Sequence, residues 1–177
     1  MVMRLYLSMA LLLSIIGCEF LSKNANLQPK TLETLESNID DGQKQALAFF
    51  QRSLQDNKHL DALKKAQSAL LKDVKDKPQK TLDFKYNKTK LEQLFRELGN
   101  NKTKQFLKNL HVTIKSINDG SYQSFSSANF NDLDTLEKKQ ERAINSIKEE
   151  LYVNYYLYTN ELVDLDYFFY RVMNYLS

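Results

Sequence analysis

The chain has 177 residues, with 25 Lys and Arg against 22 Asp and Glu and a formal net charge of +3. A balance this even argues against a dedicated nucleic-acid binder, which would carry a strongly basic face. With 4 Gly and 2 Pro the chain is poor in turn formers for a hairpin-rich sandwich or barrel. A single Cys excludes an internal disulfide framework and a Cys-rich zinc site, and 2 His are too few for a His-rich metal cage.

Met1-Val2-Met3-Arg4 leads into an apolar run, Leu5 to Ile16, of twelve residues. A short basic leader followed by such a run reads as a secretory signal peptide over residues 1–17. As a helix the run covers about 18 Å, well short of the roughly 30 Å hydrocarbon core of a bilayer. It ends in Ile15-Ile16-Gly17-Cys18, which resembles a bacterial lipobox. A small residue, Gly17, precedes the cysteine, and branched aliphatic residues lie upstream. That pattern implies a diacylglycerol thioether on the Cys18 sulfur, cleavage before Cys18 and acylation of the new amine. The common pattern has Leu at position 15 and Ala or Ser at position 16, so Ile15 and Ile16 mark a relaxed version. A plain signal peptide with a chance cysteine, or a buried apolar helix, is the alternative. The expected membrane contact is the lipid anchor, since acyl chains contribute roughly 0.8 kcal/mol per buried CH₂. No other cofactor and no metal is expected.

Residues 18–40 are polar and read as a lipidated N-terminus and flexible tether, with a nascent helix at Thr31–Ile39. Residues 41–177 carry helical periodicity. Asp40 or Asp41 caps a first helix with Ala46, Leu47, Phe50 and Leu54 on one face. A second carries Leu60, Leu63, Ala66, Leu70 and Val74 and stops before Lys77-Pro78. After a loop, a third carries Leu91, Leu94, Phe95 and Leu98 and ends at Gly99. A fourth, with Phe106, Leu107, Leu110, Ile114 and Ile117, ends at Asp119-Gly120. A polar loop precedes a long helix started by Asp132 or Asp134, with Leu133, Leu136, Ala143, Ile144, Ile147 and Leu151. After a break near Asn160, a last helix carries Leu162, Leu165, Phe168, Phe169, Val172, Met173 and Leu176. The fold class is all-α: a compact bundle of five to six amphipathic helices behind the signal peptide and tether.

Nine of the twenty Phe and Tyr residues lie between Tyr152 and Tyr175. Tyrosine combines an apolar body with a polar tip and suits interfaces, so Tyr152, Tyr155, Tyr158, Tyr167 and Tyr170 form the candidate partner surface. The competing reading is a tyrosine-rich core whose hydroxyls reach the surface. Lys72, Lys75, Lys77, Lys80, Lys85, Lys88 and Lys90 form a lysine-rich connection. It suits a solvated loop, or an anionic ligand such as a glycosaminoglycan, an anionic lipid or nucleic acid, with Asp73, Asp76 and Asp83 diluting the field. Glu161, Asp164 and Asp166 lack EF-hand spacing and suit a helix N-terminus. His59 reads as a surface residue near a helix start, and His111 as one flanking the core. The sequence contains no HExxH, nucleophile elbow, phosphate loop or dinucleotide fingerprint, so no catalytic residue is expected.

The lipobox, the Asn/Lys-rich composition and the stretch Ile39-Asp40-Asp41-Gly42-Gln43-Lys44-Gln45-Ala46-Leu47-Ala48-Phe49-Phe50 resemble small plasmid-encoded surface lipoproteins of Borrelia spirochaetes. From Lys77-Pro78-Gln79-Lys80-Thr81-Leu82 through Tyr86-Asn87-Lys88-Thr89-Lys90-Leu91 to Tyr152–Phe169 the chain is similar to the Orf-D antigen family. The multicopy lipoprotein family is matched in the lipobox and first helix. The resemblance implies an all-helical, surface-exposed antigen anchored in the outer membrane. It supplies no catalytic residues. The function expected is a non-enzymatic outer-surface lipoprotein contacting host or vector molecules, with a host protein or a glycosaminoglycan as partner and no nucleic acid. A periplasm-facing structural lipoprotein is the alternative, and the oligomeric state is open.

Overall fold

The computed structural model describes residues 31–71 and 83–177. The signal peptide, Ile15, Ile16, Gly17, Cys18 and the first part of the tether lie outside them, as do Val74, Lys77-Pro78 and four of the seven connecting lysines. The described chain is an all-α bundle of six helices: α1 Leu32–Glu36, α2 Asp41–Gln55, α3 Leu60–Leu71, α4 Lys88–Asn118, α5 Leu136–Thr159 and α6 Leu165–Tyr175. Short 3₁₀ turns occupy Asn57–His59, Gln123–Ser126 and Ala128–Phe130.

The packed part begins earlier than position 41. Thr31 caps α1, and Leu32, Leu35 and Ile39 are buried in the common core. Residues 31–40 therefore belong to the bundle rather than to a tether. Three buried apolar residues at helical spacing outweigh the polar composition around them. The Leu32 backbone N–H donates to Glu92 on α4 at 3.1 Å.

Asp40 starts α2 through a reciprocal capping box. Its carboxylate accepts from the Gln43 N–H at 2.8 Å, and its own N–H donates to the Gln43 amide oxygen at 3.1 Å. Ala46, Leu47, Phe50 and Leu54 then share the buried face. Along α3 the expected stripe holds only in part: Leu63 is fully buried, but Leu70 is exposed.

α4 is two helical arms joined at Gly99, whose φ of 72° and ψ of 169° no helix contains. Asn87 caps the first arm, and the Thr103 hydroxyl donates across the break to the Phe95 carbonyl at 3.3 Å. The second arm closes in a left-handed turn at Gly120 (φ 73°). There the Gly120 N–H donates to Ile117 O at 3.1 Å and the Ser121 N–H to Ser116 O at 2.9 Å.

The polar loop that follows has an apolar interior, Phe125 stacked edge-on to Phe130 with centroids 5.4 Å apart. Thr135, not Asp132 or Asp134, caps α5. Asp132 is taken by a bidentate contact from Arg142 at 2.9 and 3.1 Å, and Asp134 faces Lys138 at 3.5 Å. Asp164 caps α6, so Leu162 sits in the preceding turn. The core centres on Phe50, whose ring meets Phe106, Tyr155 and Phe95 edge-on at 5.2, 6.0 and 6.2 Å. No described helix is long and apolar enough to cross a membrane.

Candidate functional site

The tyrosine-rich segment divides by depth. α5 packs against α2, α3, α4 and α6, so more than one of its faces is covered. Tyr152 and Tyr155 are accordingly core residues, 0% and 1% exposed, and do not belong to a partner surface. Tyr156 is buried with them. Their hydroxyls turn inward: Tyr156 donates to Leu54 O at 2.9 Å, Tyr155 to Asn87 O at 3.4 Å and Tyr152 to Asn57 Oδ1 at 3.5 Å. Burial pushes the Tyr155 and Tyr156 phenols well above the ordinary tyrosine range, with the neighbouring phenols adding to it.

Tyr158 is half-buried, its ring against Phe168 and its hydroxyl donating to Glu97. Burial and that bond raise its phenol. The same bond, with one from Gln93, holds the Glu97 carboxyl below its usual range. Beside this pair, Asn160 is buried and clamps the incoming chain: its Oδ1 accepts from the Asp83 N–H at 2.9 Å, and its Nδ2 donates to Asp83 O at 3.2 Å and Tyr156 O at 2.8 Å. These residues floor an open groove of ≈ 760 Å³ between the end of α5 and the first arm of α4.

Of the five candidate tyrosines, only Tyr167 and Tyr170 face outward, 40% and 65% exposed on the outer side of α6. They are one helical turn apart and share that face with Arg171 and Asn174. At the near edge, the Lys102 ammonium stands 5.2 Å over the Phe169 ring and 3.0 Å from Asp166.

The acidic set resolves into structural roles. Asp164 caps α6, Asp166 pairs with Lys102, and Glu161 occupies the left-handed position (φ 58°) in the turn closing α5. Among the described residues, no group of three or more His, Cys, Asp or Glu is placed to hold a metal ion.

His59 is buried rather than at the surface. The 3₁₀ turn folds it under Tyr152, its Nδ1 stands 3.6 Å from Glu149, and its Nε2 is buried without a hydrogen-bond partner. His111 packs its ring on Gly42, where an added Cβ would come within 2.9 Å. Of the connecting lysines described, Lys90 pairs with Asp83 at 3.1 Å and Lys88 lies 3.9 Å from Glu92, while Lys85 is exposed.

One basic feature escaped the reading of the sequence. Lys104, Lys108, His111 and Lys115 recur at i, i+4, i+7 and i+11 on the second arm of α4 and so form a single line along it. The signal is helical periodicity applied to cations instead of apolar residues. Beside this line, α2 and α4 enclose an open groove of ≈ 690 Å³ lined by Phe49, Arg52, Ile114 and Lys115 among others.

No protein-family model matches the chain. No curated protein matches it either.

Proposed function

We propose that the chain is a non-enzymatic surface lipoprotein, held on the outer membrane by diacylglycerol and N-acyl lipid on Cys18. Its helical domain meets a host or vector molecule through the outer face of α6. The observation that carries this reading is the apolar run from Leu5 to Ile16, which ends in Gly17 and the chain's single cysteine. The resemblance to the Orf-D antigens of Borrelia supports the surface location.

The choice of α6 rests on Tyr167 and Tyr170. Large amphipathic rings held in water and flanked by Arg171 are the residue types that anchor protein interfaces.

The anchor is tested by labelling cells with palmitate. The wild-type chain takes up label and Cys18→Ala does not; label retained on Cys18→Ala removes the proposal. Protease added to intact cells separates surface display, where the domain is cleaved, from a periplasm-facing location, where it survives. The contact face is tested with Tyr167→Ser and Tyr170→Ser together, screened against serum and matrix proteins. Unchanged binding of every partner rejects α6 as the site.

A further inference from the structure

Charge and apolar surface combine on another face, where the second arm of α4 runs beside α2. From Gly99 to Asn118 the chain has four lysines and no Asp or Glu. Lys102 is taken by Asp166, but Lys104, Lys108 and Lys115 make no ion pair among the described residues. Across the groove, on α2, Arg52 is exposed and likewise without an ion pair there. The one acid of α2, Asp41, pairs with Lys44 at 3.3 Å, and Asp119, just past the end of α4, is the acid that lines the groove. The cations that these two helices bring to the groove outnumber their acids.

Apolar surface flanks the lysine line on both sides. By helical spacing, Ile114 lies to one side of Lys104, Lys108, His111 and Lys115, and Val112 to the other. Ile114 lines the open groove of ≈ 690 Å³ together with Phe49 and Ala46. The Lys148 ammonium reaches the same place from α5, 6.0 Å over the Phe49 ring. Val112 is 54% exposed and stands one turn from both Lys108 and Lys115. The line itself runs from Lys104 to Lys115, about 16 Å along the helix.

We propose that the α2/α4 groove and the lysine line beside it dock an acidic amphipathic helix of a partner protein. Charge complementarity selects the occupant. Carboxylates repeating along one face of a helix meet Lys104, Lys108 and Lys115, which repeat at helical spacing themselves. Apolar side chains on one flank of those carboxylates enter the groove over Phe49 and Ile114, and those on the other flank cover Val112. Arg52 and Lys148 hold the carboxylates nearest the groove. The end of the partner that reaches Asp119 carries no acid. Other anions fit less of the face. A single small carboxylate held between Arg52 and Lys115 leaves Lys104 and Lys108 unmatched. A sulfated polysaccharide leaves Val112 and the groove wall without apolar partners, and a flat anionic bilayer does not enter a groove. The proposal depends neither on the anchor at Cys18 nor on the outer face of α6.

The probe is a fluorescein-labelled helical peptide with Glu at i, i+4, i+7 and i+11 and Leu on both flanks of that stripe. It is titrated with the full chain in non-ionic detergent and read by fluorescence anisotropy. The wild type should saturate the peptide, and more weakly at high salt because screening weakens exposed pairs. Replacing the peptide's Glu by Gln, or its Leu by Ser, should weaken binding by about tenfold or more. So should Arg52→Glu with Lys115→Glu, and Lys104→Glu with Lys108→Glu, and both variants should bind a Lys-for-Glu peptide better than the wild type does. Ala48→Trp, in the groove wall, should weaken the Leu peptide as well. Circular dichroism checks that the variants keep their helices; for any charge reversal that does not, the Gln variants at the same positions are used. No saturation by the wild type overturns the proposal, as does equal binding of the Glu and Gln peptides or binding indifferent to both reversals. A Ser peptide that binds as tightly as the Leu peptide and is displaced by heparin overturns it in favour of a polyanion. Preference for phosphatidylglycerol over phosphatidylcholine vesicles, lost in Lys104→Glu with Lys108→Glu and accompanied by no peptide binding, overturns it in favour of a lipid surface.

Discussion

Replacing Tyr156 with Phe removes one oxygen atom from the middle of the bundle. The ring is 1% exposed, and its hydroxyl donates at 2.9 Å to the Leu54 carbonyl. Leu54 lies in the last turn of α2, where carbonyls lack a donor from their own helix. The bond itself is worth roughly 0.5–1.5 kcal/mol net, and leaving a buried acceptor unpaired adds a desolvation cost, so the loss should be about 1–3 kcal/mol. The aromatic packing against Tyr152 and Tyr155, at 4.6 and 5.1 Å, is retained. For a domain of this size each kcal/mol lowers Tm by roughly 2–4 °C. Thermal unfolding followed by circular dichroism should therefore show a fall of about 2–12 °C for Tyr156→Phe. Tyr170→Ser, at a 65% exposed position, should stay within about 0.5 kcal/mol of wild type. If Tyr156→Phe unfolds within a degree of wild type, or Tyr170→Ser is the more damaging, the division of the tyrosines into core and surface is wrong.

Gly99→Ala should cost about 1–3 kcal/mol, read as a lower urea midpoint with an unchanged slope. Its φ of 72° with ψ of 169° suits glycine alone, and nothing lies within 4 Å of an added Cβ, so the loss is backbone strain only. Asp40→Ala removes the carboxylate half of the α2 capping box, leaving the Gln43 N–H without its acceptor, and should lower stability by roughly 0.5–2 kcal/mol, measured by thermal unfolding. Alkali should destabilise the fold. Tyr155, Tyr156 and Tyr158 have phenols raised by burial, so the folded chain keeps protons that the unfolded chain releases. The stability is whole below about pH 10 and falls as pH rises beyond it. Tyrosinate absorbance from these three should appear together with the loss of helix. Ionisation while the helical signal stays intact would contradict the burial argument.

The helical elements were largely legible because their signals are local. Asp40 followed by Gln43 and an apolar stripe is a complete helix start, and Gly99 and Gly120 mark the two ends they were read to mark. What local signals missed was settled by distant partners. α1 reads from the sequence as a nascent helix within a tether; it belongs to the bundle because Leu32 and Leu35 are buried and the Leu32 N–H reaches Glu92 on α4. Thr135 replaces Asp132 as the α5 cap because Arg142, ten residues on, claims the carboxylate. His59 looks like a surface residue beside Asp61 until Tyr152 closes over it. The candidate site was legible as composition but not as placement. The tyrosine cluster is plain in the sequence, yet periodicity does not reveal that α5, which carries Tyr155, is covered by four neighbours while the side of α6 that carries Tyr170 is open.

Docking α1 into the bundle shortens the leash. For a chain held at Cys18, the connection to the bundle would end at Leu32 rather than at Asp41, fourteen residues on instead of twenty-three. Fully drawn out, that is about 50 Å of reach instead of about 80 Å. A domain of this size is itself roughly 35–40 Å across. On the proposed anchor, the folded body would stay within little more than its own width of the lipid headgroups.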